Sequence, residues 1–92
     1  MIISFKCRKT EKFYNDFFIK EFSSFEKEAD EKLFILENAI DLKDLLSPPG
    51  NKLEALKGDR KGQYSIRINK KWRICFKWQN NHALDVEIVD YH

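Results

Sequence analysis

Three residues at the end of the sequence, Asp90, Tyr91 and His92, carry side chains that transfer protons or donate hydrogen bonds. The imidazole of His92 has an ordinary pKa of about 6.5, which suits proton transfer near neutral pH. If the chain stays extended to its end, Asp90 lies on the same strand face as His92 and is able to orient the ring or act as a base. Tyr91 is able to stack on a nucleobase or to donate from its hydroxyl. The alternative is a frayed tail in which this composition is accidental.

Positive charge is concentrated in the third of the chain that precedes these residues. Residues 51–78 hold 9 Lys and Arg against 2 Asp and Glu, a net charge of +7, whereas residues 1–50 carry −2 and residues 79–92 carry −3. Such a concentration is typical of a protein that binds a polyanion. A solvated surface is the alternative, since exposed lysines are common on any protein.

Apolar residues alternate along residues 63–68 and again along residues 72–78, a period of two that predicts two strands joined across Asn69-Lys70-Lys71. If the loop has three residues, Arg67 faces Arg73 in the same register. Arginines directly opposite each other repel by a few tenths of a kcal/mol to about 1 kcal/mol. A bound phosphate would relieve this repulsion, because the guanidinium fork binds phosphate and keeps its charge at working pH.

Two outcomes would remove this argument for a phosphate ligand. A two-residue loop would shift the register, and Asp85 or Glu87 on the last strand could neutralise the arginines. Without either, we expect a basic RNA-binding surface. The cationic side chains predicted to contact RNA are Arg60, Lys61, Arg67, Lys70, Lys71 and Lys77.

RNA cleavage without a metal needs a base for the 2′-hydroxyl, cationic donors for the charge that develops on the phosphorus, and an acid for the 5′-oxygen. Arg73 and Lys57 are the predicted cationic donors, and Asp90, Tyr91 and His92 are the predicted proton-transfer group. The two cysteines, Cys7 and Cys75, lack the spacing of a metal site, so we expect no metal or cofactor.

The elements that must position these residues form one predicted domain over residues 1–92. The N-terminus lacks the apolar run of a signal peptide, and no stretch approaches the roughly 18 apolar residues of a membrane span. We therefore expect a cytoplasmic protein with reduced thiols and no membrane partner.

Two helices are predicted before the sheet. Thr10 is the expected cap of the first, and Ser23 with Glu26 forms a capping-box spacing before the second. The residues predicted to line the buried stripes of the two helices are Phe13, Tyr14, Phe17, Phe18 and Phe22, then Phe25, Ala29, Leu33, Leu36 and Ile40.

The predicted strands are the opening residues 1–5, then residues 52–56, 63–68, 72–78 and 83–91. Residues 42–46 are expected to add a short turn before Ser47-Pro48-Pro49-Gly50, which stops any helix. The resulting fold class is α+β, with two N-terminal helices packed on one face of a mainly antiparallel sheet.

The stretches "KLEALKGDRKGQYSIRINKKWRICF" and "VEIVDYH" together resemble the HigB-type branch of the RelE toxin superfamily. The resemblance covers nearly the whole chain, and it implies a microbial RNase-type fold. It also implies a toxin of a bacterial toxin–antitoxin pair that cuts messenger RNA on the translating ribosome and so inhibits translation. The implied partners are a helix-turn-helix antitoxin of the HigA type, the ribosome and mRNA, with operator DNA contacted through the antitoxin.

Carried over by position, the resemblance places Lys57 near the scissile phosphate and Arg73 at the developing charge, with Asp90, Tyr91 and His92 as the terminal catalytic group. Some members read "KLHPLKGD" where this chain reads "KLEALKGD", so Glu54 replaces a histidine. A carboxylate is still able to act as a base, but it adds negative charge beside the phosphate. We therefore expect a slower nuclease, or a plain surface role for Glu54.

Two other classes of function remain open from the sequence. A non-catalytic nucleic-acid-binding module would keep the basic surface but would tolerate loss of Tyr91 and His92. A protein-interaction module would use the same surface for an acidic partner and would have no affinity for RNA.

Overall fold

The computed structural model describes residues 1–90 and confirms two helices packed on a four-stranded antiparallel sheet. Helix α1 spans Arg8–Tyr14 and helix α2 spans Glu26–Asn38. The strands follow in the order β1 to β4 along the chain and across the sheet. Their bounds are Glu54–Ala55 for β1, Tyr64–Arg67 for β2, Trp72–Gln79 for β3 and His82–Asp90 for β4.

The opening segment lies along the outer edge of β4, but it is not the strand that its apolar run predicts. Ile2 and Phe5 form isolated parallel bridges with Ala83 and Val86. The amide of Ile3 donates to the carbonyl of Ala83 at 2.8 Å. These few bonds cover the edge of β4, which an unpaired strand would otherwise leave open to another chain.

The predicted cap of α1 is wrong, and the predicted stripe is confirmed at Phe13 and Phe22 but wrong at Phe17 and Phe18. Cys7 is the N-cap, whereas Thr10 lies inside the helix, fully buried, where its Oγ1 accepts a 3.0 Å hydrogen bond from the amide of Ile88. Because α1 already ends at Tyr14, the helical period does not continue, and Phe17 and Phe18 are 61% and 71% exposed.

The predicted capping box before α2 is also wrong. Residues 20–25 form a 3₁₀ helix, and α2 begins after Phe25, which makes no side-chain capping bond. The stripe itself is largely confirmed, because Ala29, Leu33 and Leu36 are buried. Ile40 is exposed since it follows the end of the helix.

The connection from α2 to the sheet consists of short turns. Residues 42–46 form the expected turn, a 3₁₀ helix with Asp41 and Asp44 in a capping box, and residues 49–51 form another. Of the strand predicted over residues 52–56, only Glu54–Ala55 form a strand, which is β1. Lys52 takes a left-handed conformation, with φ 45° and ψ 54°, and so lies outside it.

The two hairpins that follow set the register of the site. Asn80 and Asn81, both with positive φ, make the two-residue turn between β3 and β4, a conformation that asparagine tolerates well. Between Cys75 and Lys77 the pairing of β3 with β4 shifts, at a bulge where Asp85 has φ 52°. The bulge changes which residues of β4 face those of β3, so the period of β4 alone does not give its register.

The core lies between the helices and one face of the sheet. Phe22, Phe25 and Trp72 form an aromatic cluster with ring centroids 4.9 to 5.7 Å apart. Ile66 and Ile74 beneath it are fully buried. Along residues 1–90, no helix is both long and apolar enough to cross a membrane.

The buried bond between α1 and β4 gives a first prediction. Replacing Thr10 with Val keeps the shape but leaves the Ile88 amide unpaired, so the free energy of unfolding should fall by about 1–3 kcal/mol. Thr10→Ser keeps the hydroxyl and should retain more stability than Thr10→Val. Urea unfolding of both variants measures this difference, and a Val variant as stable as the Ser variant would contradict it.

Candidate active site

The face of the sheet turned away from the helices carries the polar side chains, and we call it the open face. Alternation along the strands places Ile66, Ile74 and Ile88 in register on the helix-covered face. The residues of the open face include Glu54, Ser65, Arg67, Arg73, Cys75, Glu87 and Val89.

Arg67 and Arg73 are direct cross-strand partners on this face, as the three-residue loop predicts. The Nε of Arg67 donates to the carbonyl of Asn69 at 3.0 Å. The Nε of Arg73 donates to Ser65 Oγ at 2.7 Å, and its Nη2 donates to the carbonyl of Lys52 at 2.7 Å. These acceptors are all uncharged, so they hold the guanidiniums without neutralising them.

The carboxylates that could have neutralised the two arginines have other partners. Asp85 lies 3.4 Å from Lys77 Nζ, and Glu87 lies 3.1 Å from Arg60 Nη1. Neither Arg67 nor Arg73 makes an ion pair with any carboxylate of residues 1–90. The like-charge pair therefore remains, and the alternative of an internal neutralisation is wrong for the described residues.

Glu54 and Lys57 line the same depression at the free side of β1, which has a volume of about 300 Å³. Glu54 is the register partner of Ser65, the serine that holds Arg73. Both side chains are exposed, and neither takes part in an ion pair within the described part of the chain. The structure therefore brings Glu54 and Lys57 together beside the anchor of Arg73.

Arg60, predicted to bind RNA, takes part in a contact that supports the fold. Its guanidinium bridges Gln63 and Glu87, each at 3.1 Å, and both ends of the ion pair are mostly shielded from solvent. Burial raises the pKa of the neighbouring Cys75 thiol, against the lowering effect of the positive charge on Arg60. Cys75 is therefore kept as an unreactive thiol rather than a nucleophile.

The remaining predicted RNA contacts are lysines at the surface. Lys61 and Lys70 are exposed, and Lys77 forms the pair with Asp85 described above. Lys71 Nζ lies 3.5 Å from a carboxylate oxygen of Asp90. Because exposed ion pairs contribute little, Lys71 and Lys77 are able to exchange these partners for phosphate.

Asp90 lies next to the hairpin loop but not on the face of Arg73. Its register partner is Trp72, whereas the partner of Arg73 is Val89, so alternation puts Asp90 on the helix side. Its pair with Lys71 lies at the end of β4, beside the β2–β3 loop. The other predicted proton-transfer residues, Tyr91 and His92, lie outside the described residues.

Two groups that hold Arg73 were missed by the sequence analysis, namely Ser65 and the carbonyl of Lys52. Ser65 stands at a polar position of the alternating strand pattern, and its full burial, which requires a partner for its hydroxyl, is visible only in the structure. The carbonyl of Lys52 gives no sequence signal. Within residues 1–90, no group of three or more His, Cys, Asp or Glu side chains is arranged to hold a metal ion.

Residues 3–92 match a family model described as the HigB-like, RelE-like toxin of the type II toxin–antitoxin system HigB. Toxin HigB-1 of Vibrio cholerae is 41% identical over 87 residues, which cover 92% of each chain. Endoribonuclease HigB of Proteus vulgaris is 46% identical over 41 residues, which cover 45% of each chain.

Solved structures from Staphylococcus aureus share the fold. The YoeB dimer matches with a TM-score of 0.64 and 28% identity, over 100% of this chain and 97% of that one. The YoeB–YefM complex matches with a TM-score of 0.63 and 26% identity, over 100% of this chain and 98% of that one.

The contrast between Arg60 and its neighbour Lys61 gives a second prediction. Arg60→Met leaves the partly buried Glu87 without its cation, so the free energy of unfolding should fall by about 1–2 kcal/mol. Lys61→Met removes the same charge from an exposed side chain and should change it by less than about 0.5 kcal/mol. Equal losses in urea unfolding would show that the Arg60–Glu87 pair does not support the open face.

Proposed function

Since the chain belongs to the HigB-like family of RelE-like toxins from type II toxin–antitoxin systems, we propose that it inhibits translation by cutting messenger RNA on the ribosome. The cleavage is metal-independent and uses the 2′-hydroxyl of the RNA as the nucleophile. The relative named Endoribonuclease HigB supports a nuclease, and the open face supports RNA as its ligand.

The observation that carries this proposal is the pair of arginines in register on β2 and β3. Arg67 and Arg73 face each other, and neither has a carboxylate partner within the described residues. An RNA phosphate bound by both arginines would make charge-assisted hydrogen bonds to each and would offset the repulsion expected between like charges in register. A stable sheet gains nothing from this pair by itself, so a function in anion binding explains its presence.

Each step of the proposed cleavage reaction is assigned to particular side chains. The 2′-oxygen attacks the phosphorus while Glu54 accepts the 2′-proton, and Arg73 and Lys57 stabilise the negative charge on the phosphorane. The bond from phosphorus to the 5′-oxygen then breaks as His92 donates a proton to that oxygen. The products are a 2′,3′-cyclic phosphate and a 5′-hydroxyl end.

The other predicted residues support this reaction. Tyr91 stacks on a base next to the scissile bond. Asp90 orients the imidazole of His92, and it pairs with Lys71 beside the hairpin loop. Lys61, Lys70, Lys71 and Lys77 extend the positive field along the RNA backbone, together with Arg67 and, at its edge, Arg60.

The antitoxin is the expected regulatory partner. The YoeB chains that share this fold include one in complex with YefM, which supports an antitoxin for this chain as well. We propose a helix-turn-helix protein of the HigA type, through which the toxin is also brought to operator DNA.

We expect expression of this chain alone to reduce growth. Co-expression of that antitoxin should relieve the reduction.

Cleavage assays on ribosomes programmed with mRNA give a third prediction. Arg73→Met should lower the single-turnover rate by about 10²–10³-fold, and deletion of Tyr91 and His92 should lower it by about 10²–10⁴-fold. Ribosome binding should change much less, and a chelator should have no effect. Unchanged cleavage after the deletion would show that the site is wrong, whereas binding without cleavage by the wild type would favour a non-catalytic module.

Substitution of Glu54 gives a fourth prediction. Glu54→Gln removes the base and should lower the cleavage rate by about 10²-fold or more. Glu54→His keeps a base and removes a negative charge near the phosphate, so the rate should rise by about threefold to tenfold. A rate for Glu54→His below that of the wild type would contradict the inhibitory effect assigned to this carboxylate.

A further inference from the structure

Arg73 is held more firmly than Arg67, its partner in the pair. Both Nε and Nη2 of Arg73 donate at 2.7 Å, to Ser65 Oγ and to the carbonyl of Lys52, and Nη2 also lies 3.5 Å from the carbonyl of Ser65. Arg67 has one such bond, from Nε to Asn69. Contacts at both Nε and Nη2 fix the plane of a guanidinium, whereas a single bond lets it rotate.

The hydroxyl of Ser65 is a buried hydrogen-bond acceptor for Arg73. Ser65 is fully buried on β2, and its register partner on β3 is the buried Cys75. A buried hydroxyl needs a hydrogen-bond partner to offset the loss of water, and Arg73 supplies it. Alanine would fill this position of the strand as well as serine does, so the hydroxyl itself requires an explanation.

The second acceptor comes from a backbone held in a conformation that lysine rarely adopts. Lys52 has φ 45° and ψ 54°, which costs free energy in any residue with a Cβ. Its amide donates to the carbonyl of Pro49 at 3.1 Å, and its carbonyl accepts from Arg73. Such strain persists where the surrounding structure imposes it.

Asn51 supplies that surrounding structure. Its fully buried amide donates to the carbonyls of Leu45 and Ser47, each at 3.2 Å, and its Oδ1 accepts a 2.5 Å bond from Lys32 of α2. The turn before β1 is thereby tied to α2. A chain of contacts therefore runs from α2, through the Asn51–Lys52 turn, to the guanidinium of Arg73.

We propose that Ser65 and the Asn51–Lys52 turn are positioning groups that hold Arg73 so that its Nη1 donors point at the phosphate undergoing cleavage. Nη1 makes no hydrogen bond to any group of residues 1–90, so its two N–H groups remain available. The inference rests on the cleavage activity proposed above. It adds that Arg73 is fixed before RNA binds, which spares the reaction the cost of ordering it.

The first experiment compares Ser65→Ala with Ser23→Ala, which removes the same hydroxyl from an exposed serine of the 3₁₀ helix over residues 20–25. Ser65→Ala should lower the single-turnover cleavage rate by about 10-fold to 100-fold and ribosome affinity by less than threefold, whereas Ser23→Ala should change neither. In an Arg73→Met background, Ser65→Ala should lower the rate by less than twofold further. Equal losses in both backgrounds would overturn the proposal.

A second readout does not depend on activity. Hydrogen exchange of the Arg73 Nε–H, followed by ¹⁵N NMR, should be slow in the wild type and at least 10-fold faster in Ser65→Ala. Unchanged exchange would overturn the positioning role even if cleavage falls. A wild type that does not cut RNA would instead overturn the proposed function. The exchange rates would still test whether Ser65 and the Asn51–Lys52 turn hold Arg73.

A third experiment changes the turn instead of Ser65, so that the proposal is still tested if Ser65→Ala does not fold. Lys52→Gly permits the left-handed conformation but loosens the turn, so the melting temperature should stay constant or rise while Arg73 exchange becomes faster and cleavage falls several-fold. Lys52→Met removes the same charge without adding flexibility and should leave the exchange rate of Arg73 near that of the wild type. Parallel changes in both variants would contradict the role of the turn.

Discussion

Two arginines are register partners on β2 and β3, and the other polar side chains of the open face lie around them. Arg67 and Arg73 are direct cross-strand partners, and their contacts are to carbonyl and hydroxyl oxygens, which carry no charge to cancel theirs. Like charges in this position disfavour the pairing of the strands. The hydrophobic core on the opposite face must therefore offset this repulsion whenever no anion is bound, and Ile66 and Ile74 lie directly behind the two arginines.

The surrounding ion pairs confine the unneutralised charge to the centre of the sheet. Glu87 pairs with Arg60, and Asp85 pairs with Lys77. These two carboxylates of β4 therefore neutralise cations at the margins of the open face and do not neutralise Arg67 or Arg73. The pair of Lys71 with Asp90 lies at the end of β4, beside the β2–β3 loop. Arg67 and Arg73 therefore lie with Glu54 and Lys57 on one side and the end of β4 on the other.

The parts of this arrangement that sequence reasoning predicted are those set by local pattern. The period of two and the three-residue loop give the Arg67–Arg73 register, and a helical stripe correctly identifies Leu33 and Leu36 as buried. The stripe failed at Phe17 and Phe18 because a periodic pattern does not reveal where a helix ends. The side of the sheet occupied by Asp90 depends on the bulge in β4, and the bond from Arg73 to Lys52 joins residues 21 positions apart. Neither leaves a local signal in the sequence.

The most direct test of the central claim is the stability of the protein with and without a single-stranded oligodeoxynucleotide, which carries the backbone phosphates of RNA but lacks the 2′-hydroxyl nucleophile. Without the oligonucleotide, Arg67→Met should be as stable as the wild type or more stable by up to about 1 kcal/mol, because the repulsion is gone. At saturation, the wild type should gain more stability than Arg67→Met and more than a Lys70→Met control. An Arg67→Met variant that is less stable than the wild type without the ligand, and that gains as much stability on binding, would contradict the account.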